Sequence, residues 1–367
     1  MNEKTQPCTH CGAVHPRVNL TWMGSAELCP ECLQRYTVCC DCCGERIWMA
    51  NDYGTHYLHL CASCRANYVT CENCGALIPQ EDAHYNDEDE AYCDSCYERG
   101  YGGTIHNYSY KPEPIFYGDG PLYLGVELEV DEAGKDNINA VQALRAFNQE
   151  NVYGYVKSDG SLNDGFELVT HPCTLETHLQ QVPWRETLEA LRGMGYRSHA
   201  PGTCGLYVHV SRKALGKDVY EQEETIAKLL YIFERFWQEI LRFSRRTESQ
   251  INHWAARYGY KDRGEEILKE AKHGANGRYA CINLTNTDTI EFRVFRGTLK
   301  YNTVIATLQF VANLCRVAIS LPEYRIQEFS WPALIEALTQ DNCPELVQYL
   351  KERNLYVNEP VTAEREV

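Results

Sequence analysis

Residues 122–130 read Leu122-Tyr123-Leu124-Gly125-Val126-Glu127-Leu128-Glu129-Val130. In an extended chain, Leu122, Leu124, Val126, Leu128 and Val130 share one face, and Tyr123, Gly125, Glu127 and Glu129 share the other. Such alternation is the pattern of a strand with one buried face. It also sets two carboxylates side by side on the opposite, polar face.

Four later segments repeat the pattern. In residues 165–170, Phe166 and Leu168 oppose Glu167; in 205–211, Leu206, Val208 and Val210 oppose Tyr207 and His209. In 279–285, Ile282 and Leu284 oppose Cys281 and Asn283; in 289–297, Ile290, Phe292 and Val294 oppose Glu291 and Arg293. Between them lie helical periodicities. The longest, over 219–243, carries Ile226, Leu229, Leu230, Phe233, Phe236, Trp237, Ile240 and Leu241. Shorter ones cover about 136–149, 177–194 and 303–320, with a helical tail after 332. The fold expected is α+β: a mostly antiparallel, curved sheet whose apolar face is covered by helices.

The polar face then gathers Glu127, Glu129, Glu167, His209, Glu291 and Arg293. A face turned only to solvent would mix Lys, Thr, Ser and Gln among its acids. Four glutamates so placed repel one another unless cations neutralise them. Hard carboxylate donors suit Mg2+ or Mn2+. Arg293 and Arg296, next to Glu291, suit phosphate oxygens, which guanidinium pairs in bidentate fashion. Carboxylates, divalent ions and arginines together point to phosphoryl transfer from a nucleotide.

Upstream the composition changes. Of 19 cysteines, 14 lie in the first 100 residues; Cys173, Cys204, Cys281, Cys315 and Cys343 are scattered beyond. The dense ones form three copies of one unit: Cys8/Cys11 with Cys29/Cys32, Cys40/Cys43 with Cys61/Cys64, and Cys71/Cys74 with Cys93/Cys96. The gaps between pairs are 17, 17 and 18 residues, and the copies begin at 8, 40 and 71. Two C-x-x-C turns at this spacing present four thiolates to one zinc ion. The unit is too short to fold on apolar burial alone. About three structural zinc ions are expected. Gly12, Gly44 and Gly75 follow the first pair of each copy, as a tight knuckle with positive φ requires. Cys39 and Cys42 leave the register of the second copy ambiguous; Cys40 and Cys43 are preferred because Gly44 then matches Gly12 and Gly75. Pairing across copies stays open.

The chain reads as three parts: zinc-binding repeats over 1–100, a Gly/Pro/Tyr-rich linker over 101–117, and a larger domain over 118–367. No stretch matches the ~20 apolar residues of a membrane span. The N-terminal residues lack the apolar run of a secretory signal, so a reducing, cytoplasmic setting is expected. The net charge is −16. Residues 1–103 hold 15 acids and 6 bases, a net of −9, and include Asp87-Glu88-Asp89-Glu90. Nucleic acid is therefore an unlikely partner; a peptide or protein with a basic or amine-bearing segment fits better.

Five motifs occur in order: Gly125-Val-Glu-Leu-Glu129, Lys157-Ser-Asp-Gly-Ser161, Gly165-Phe-Glu-Leu-Val-Thr170, Cys204-Gly-Leu-Tyr-Val-His-Val-Ser211 and Thr289-Ile-Glu-Phe-Arg-Val-Phe-Arg-Gly-Thr298. Across about 118–320 the chain resembles the amidoligase family of the carboxylate–amine ligase superfamily, related to glutamine synthetase and glutamate–cysteine ligase. The resemblance implies a glutamine-synthetase-like sheet around Mg-ATP and an amide-forming reaction through an acyl-phosphate. It implies that Glu127, Glu129 and Glu167 hold metal, that His209 lies near phosphates or a second metal, and that Glu291 completes that site. Arg293 and Arg296 would neutralise the acyl-phosphate transition state. Lys157, Asp159 and Ser161 would lie on a loop contacting substrate or phosphate. Tyr207 departs from the His-x-His pair that these enzymes often carry. Alternatives are an inactive zinc-repeat adaptor or another Mg-ATP phosphotransferase, such as a guanidino kinase. Cys204 and Cys281 read as buried structural thiols, Arg245-Arg246 as a charge pair at a helix C-terminus, and His253, Trp254 and Arg257 as a lid or substrate loop.

Overall fold

The alternation in 122–130 and its four echoes sort into one sheet. The computed structural model describes residues 5–86, 89–98, 103–273 and 277–356. It divides into two compact units, Met1–Gly103 and Thr104–Val367. In the second, the strands are β1 (Ile105–His106), β2 (Tyr123–Val130), β3 (Gly154–Lys157), β4 (Phe166–Thr170), β5 (Cys173–Thr174), β6 (Gly205–Ser211), β7 (Ile282–Asn283) and β8 (Thr289–Arg296). Their order is β1-β3-β4-β2-β6-β8-β7, with β5 also on β2. Every pairing is antiparallel except β1 with β3.

The apolar face is built as the alternation requires. Leu124, Val126, Leu128, Val130, Leu168, Leu206, Val208, Val210, Ile290 and Phe292 are all wholly buried in one core. Helices cover them: α1 (Asn137–Phe147), α2 (Leu175–Gln180), α3 (Trp184–Gly193), α4 (Val219–Arg235), α5 (Trp237–Ser244), α6 (Glu248–Trp254), α7 (Gly264–His273), α8 (Tyr301–Ser320), α9 (Glu323–Gln327), α10 (Trp331–Leu338) and α11 (Pro344–Glu352). Each fully buried Leu, Ile or Phe contributes on the order of 1.5–3 kcal/mol, so this face dominates the stability of the unit. Against the sequence expectation, one helix among the described residues, α8, has the length and composition to cross a membrane, but 83% of its apolar window is buried in the core.

The elements depart from sequence expectation at four places. The helix expected over 219–243 breaks at Phe236, whose backbone leaves the helical region (φ −103°, ψ 33°) and whose ring packs 5.6 Å from Trp331. The helix expected over 177–194 breaks before Pro183, which has no N–H and cannot sit inside a helix. The strand expected over 279–285 shortens to β7, because Ala280 instead bridges to Ala256. Lys157, expected on a loop, closes strand β3 opposite Glu167.

The expected linker is also part of the second unit from Thr104 onward; its residues 101–102, with Gly100, lie outside the described residues. Ile105 and His106 pair with Val156 and Lys157, and Tyr117 bridges to Cys173. His106 stacks on Tyr110 at 3.6 Å, and Tyr155 meets both rings edge-on.

The first unit is three copies of a small plan. Each opens on a hairpin: Thr5–Pro7 with Val14–Pro16, Thr37–Cys39 with Arg46–Trp48, and Tyr68–Thr70 with Leu77–Pro79. Each ends on a short helix: Pro30–Tyr36, Ala62–Arg65 and Asp94–Glu98. The first and third contain a second hairpin. In the second copy the Asp52 carboxylate replaces it, accepting from Gly54 N, Leu60 N and the His59 ring. Of the acidic run, Asp87 and Glu88 lie outside the described residues.

Candidate active site

Register places the polar side chains in rungs across the sheet. One rung runs Lys157, Glu167, Glu129, with Glu129 leading on to Gly205 and Arg296. The next runs Tyr155, Val169, Glu127, Tyr207. The third runs Gly125, His209, Glu291, Asn283. A bulge in β8 sets Arg293 and Val294 against Tyr207 alone, since Leu206 pairs with Phe295 and Val208 with Phe292. The extra residue shifts the alternation by one. That shift brings Arg296 back to the face that carries Glu291.

Glu127, His209 and Glu291 converge: their ligand atoms all lie within 4.8 Å of one another. His209 Nε2 is 3.1 Å from Glu127 and 4.0 Å from Glu291. It is buried, and neither contact has hydrogen-bond alignment. The other ring nitrogen, Nδ1, is 3.3 Å from the Thr289 hydroxyl. Asn283 Nδ2 donates to Glu291 at 2.7 Å, and Arg293 donates to the other oxygen of Glu291. The Arg293 guanidinium stacks 4.1 Å from the Tyr207 ring. Two carboxylates and an orphaned imidazole nitrogen aimed at one point fit a divalent cation.

Burial works against ionisation of Glu127, but the charges of His209 and Lys157 hold its carboxyl well below the usual range. Burial likewise opposes the charged form of His209, yet Glu127 raises its pKa. Glu167 behaves in the opposite way: burial and the adjacent Glu127 charge push it well up, against the pull of Lys157 3.3 Å away.

Glu129 and Glu167 stand outside the three-residue cluster. Glu129 accepts from Gly205 N and from the Tyr207 hydroxyl, and burial with the Asp159 charge raises its pKa to about 7. Tyr207, at the place of the missing second histidine, thus links Glu129 to Arg293. Ser161 turns back to bond Asp159 through its backbone N–H and its hydroxyl. Cys204 and Cys281 are buried. Arg257 makes a bidentate pair with Glu234 at 2.9 and 2.7 Å. Sequence reasoning missed Asn283 and Thr289 as partners of the cluster. It also missed Tyr108, whose ring sits 5.7 Å from Lys157 Nζ and whose hydroxyl accepts from Arg278. Asn283 lay on the expected polar face; Tyr108 carried no periodic signal.

In the first unit the four cysteines of each copy gather within 4.8 Å, copy by copy and without cross-pairing. Sγ atoms of Cys11 and Cys29, Cys43 and Cys61, and Cys74 and Cys93 are each 3.8 Å apart. A tetrahedron with Zn–S of about 2.3 Å has edges of about 3.8 Å, so the three centres fit zinc. Gly12, Gly44 and Gly75 have φ of 76°, 75° and 73°, and each N–H closes onto the carbonyl of the first cysteine in its copy. Cys39 and Cys42 are exposed and outside the second centre.

Comparison with known proteins agrees with the motif reading. A family model described as "Putative amidoligase enzyme" matches residues 145–315. The match begins after β2, so Glu127 and Glu129 precede it. No curated protein matches the chain. A solved structure, a bifunctional glutathione synthetase from Pasteurella multocida, is similar at 15% identity and a TM-score of 0.31, over 63% of this chain and 46% of that one. The chain thus spans less than half of that enzyme's length, and a likeness this loose carries no argument. Motif order and the family model coincide over residues 145–315, where the second unit is similar to the amidoligase family.

Proposed function

We propose that the second unit is an ATP-dependent ligase joining a carboxylate to an amine through an acyl-phosphate, on a glutamine-synthetase-like sheet. The observation that carries this reading is the convergence of Glu127, His209 and Glu291, with Arg293 fixed beside them. These three residues would hold Mg2+ or Mn2+, which when bound offsets the charge of nucleotide phosphates. Arg293, immobilised by Glu291 and Tyr207, presents its remaining donors toward a transferring phosphoryl group. Lys157, paired with Glu167, adds a second fixed cation. Glu129, with a pKa near 7, is suited to accept the proton that an attacking amine gives up.

The first unit supports a peptide or protein substrate. A pocket alone can bind a small metabolite, whereas this chain carries a zinc array of net charge −9 over residues 1–103. Three zinc ions held in a reducing, cytoplasmic setting would keep the array folded and ready to recruit a basic partner. The test is the full chain with ATP, Mg2+ or Mn2+, and pools of carboxylates and amines, read by ADP release and product mass. The reading expects a product one water lighter than acid plus amine. A phosphorylated guanidine would favour a kinase, and ADP release with no condensed product would oppose the ligase.

A further inference from the structure

Three arginines cluster at the Gly205 end of the polar face, away from Glu291. Arg296 lies opposite Gly205. Arg246 follows α5; it is 5% exposed and donates to Phe295 O at 3.3 Å. Arg245 sits between them, donating to the carbonyls of Arg296 and Gly297. The Nε atoms of all three are buried without a partner. Among the described residues none of the three is in an ion pair, although the chain holds 51 acids.

Two other arginines of this fold do have carboxylate partners: the exposed Arg257 has Glu234, and the buried Arg293 has Glu291. A guanidinium drawn out of solvent without a carboxylate partner is disfavoured, and three drawn together repel. The Arg246 charge and burial both lower the pKa of Arg296. Glu129 feels the Arg246 charge but forms no ion pair with it; its Oε2 accepts from Gly205 N and from the Tyr207 hydroxyl. The expected charge pair at a helix C-terminus therefore does not describe Arg246, which turns inward.

We infer that Arg246 and Arg296, braced by Arg245, bind an oxyanion, and that it is a carboxylate of the substrate distinct from the nucleotide phosphates. Distance separates the two. Gly205 and His209 are four residues apart on β6, about 13 Å at 3.3 Å per residue. A phosphate held at His209 and Glu291 does not also reach that end of the strand, so a separate oxyanion, here a carboxylate of the substrate, is left to occupy it. The planar fork of arginine matches two oxygens of one carboxylate. The assignment to substrate rests on the ligase reading; the oxyanion site does not.

Thermal unfolding of the full chain tests both parts without turnover, so an absence of ADP release leaves the result readable. The probes are glutarate and inorganic phosphate, each against chloride at matched ionic strength. The expected result is a saturable rise in the midpoint, with at least tenfold more anion needed in Arg246→Met and Arg296→Met. If a Met variant does not fold, Arg246→Lys serves, since it keeps the charge and loses the fork. No saturable response in the wild type, or an unchanged response in folded variants, overturns the site. Mg2+ with a non-hydrolysable ATP analogue distinguishes the sources. Its stabilisation should add to that of glutarate; competition would give the site to a nucleotide phosphate and overturn the substrate assignment.

Discussion

Single side chains in this fold are placed by register and then tuned by burial. Glu127, Glu167 and Glu129 are similar in sequence, yet their neighbours separate them. Glu127 faces His209 and is held ionised, Glu167 is pushed toward its protonated form, and Glu129 titrates near 7. Glu127→Gln keeps the shape and removes one charge from the cluster. ADP release is expected to fall on the order of a hundredfold or more, and a loss of only a few-fold would place the reaction elsewhere. Arg293→Lys should be similarly impaired, because an ammonium cannot bond Glu291 and stack on Tyr207 while presenting further donors. His178 supplies a pH prediction. Trp184 Nε1 donates to its Nδ1 at 3.3 Å, so Nε2 carries the proton toward Leu124 O at 3.0 Å and the ring is neutral. Burial pushes its pKa down to about 4 from 6.5. The unfolded chain takes up this proton first, so stability present at pH 7 is lost as pH falls from 6.5 to 4. The total is about 3 kcal/mol. Between pH 7 and 4.5, His178→Gln should lose about 2 kcal/mol less than wild type in denaturant unfolding; equal losses would contradict the assignment.

At the scale of elements, the zinc knuckles rest on one backbone conformation. Gly75 has φ of 73° and open space around the position of a Cβ, so a side chain there meets strain without collision. Gly75→Ala should cost about 1 kcal/mol. Chelator competition should then show two tight zinc sites and one roughly fivefold weaker; three equal sites would contradict the argument. The knuckles were legible because cysteine spacing and glycine position state the same geometry twice. The β2, β4, β6 and β8 strands were legible because each alternates apolar with polar or charged residues, even where both faces end up buried. What escaped were features set by long-range contact. β3 reads as a loop until β4 pairs with it, and β1 has two residues and no period. Arg246 looks like a helix-end charge until the turn after α5 carries it inward. Arg296 was named from the sequence, but its place opposite Gly205 depends on the β8 bulge, which no periodicity reveals.

At the scale of the whole molecule, a cysteine-rich array precedes the unit proposed to be a ligase. Purified chain should hold three zinc ions, and chelation should abolish the ordered structure of residues 1–103 while leaving the second unit folded, because that unit has its own core. Zinc near zero in reduced, folded protein would contradict this. Deleting residues 1–103 should spare turnover of a small amine and impair turnover of a basic peptide at low salt, since the array would raise local substrate concentration. Equal turnover of the peptide would remove recruitment from the account. The central claim is that a carboxylate is activated by phosphate before the amine attacks. It is tested most directly by running the reaction with a carboxylate carrying oxygen-18 in both positions. One labelled oxygen should leave in the released phosphate and one should stay in the amide, with neither product formed by Glu127→Gln. Phosphate free of label alongside a formed product would contradict it.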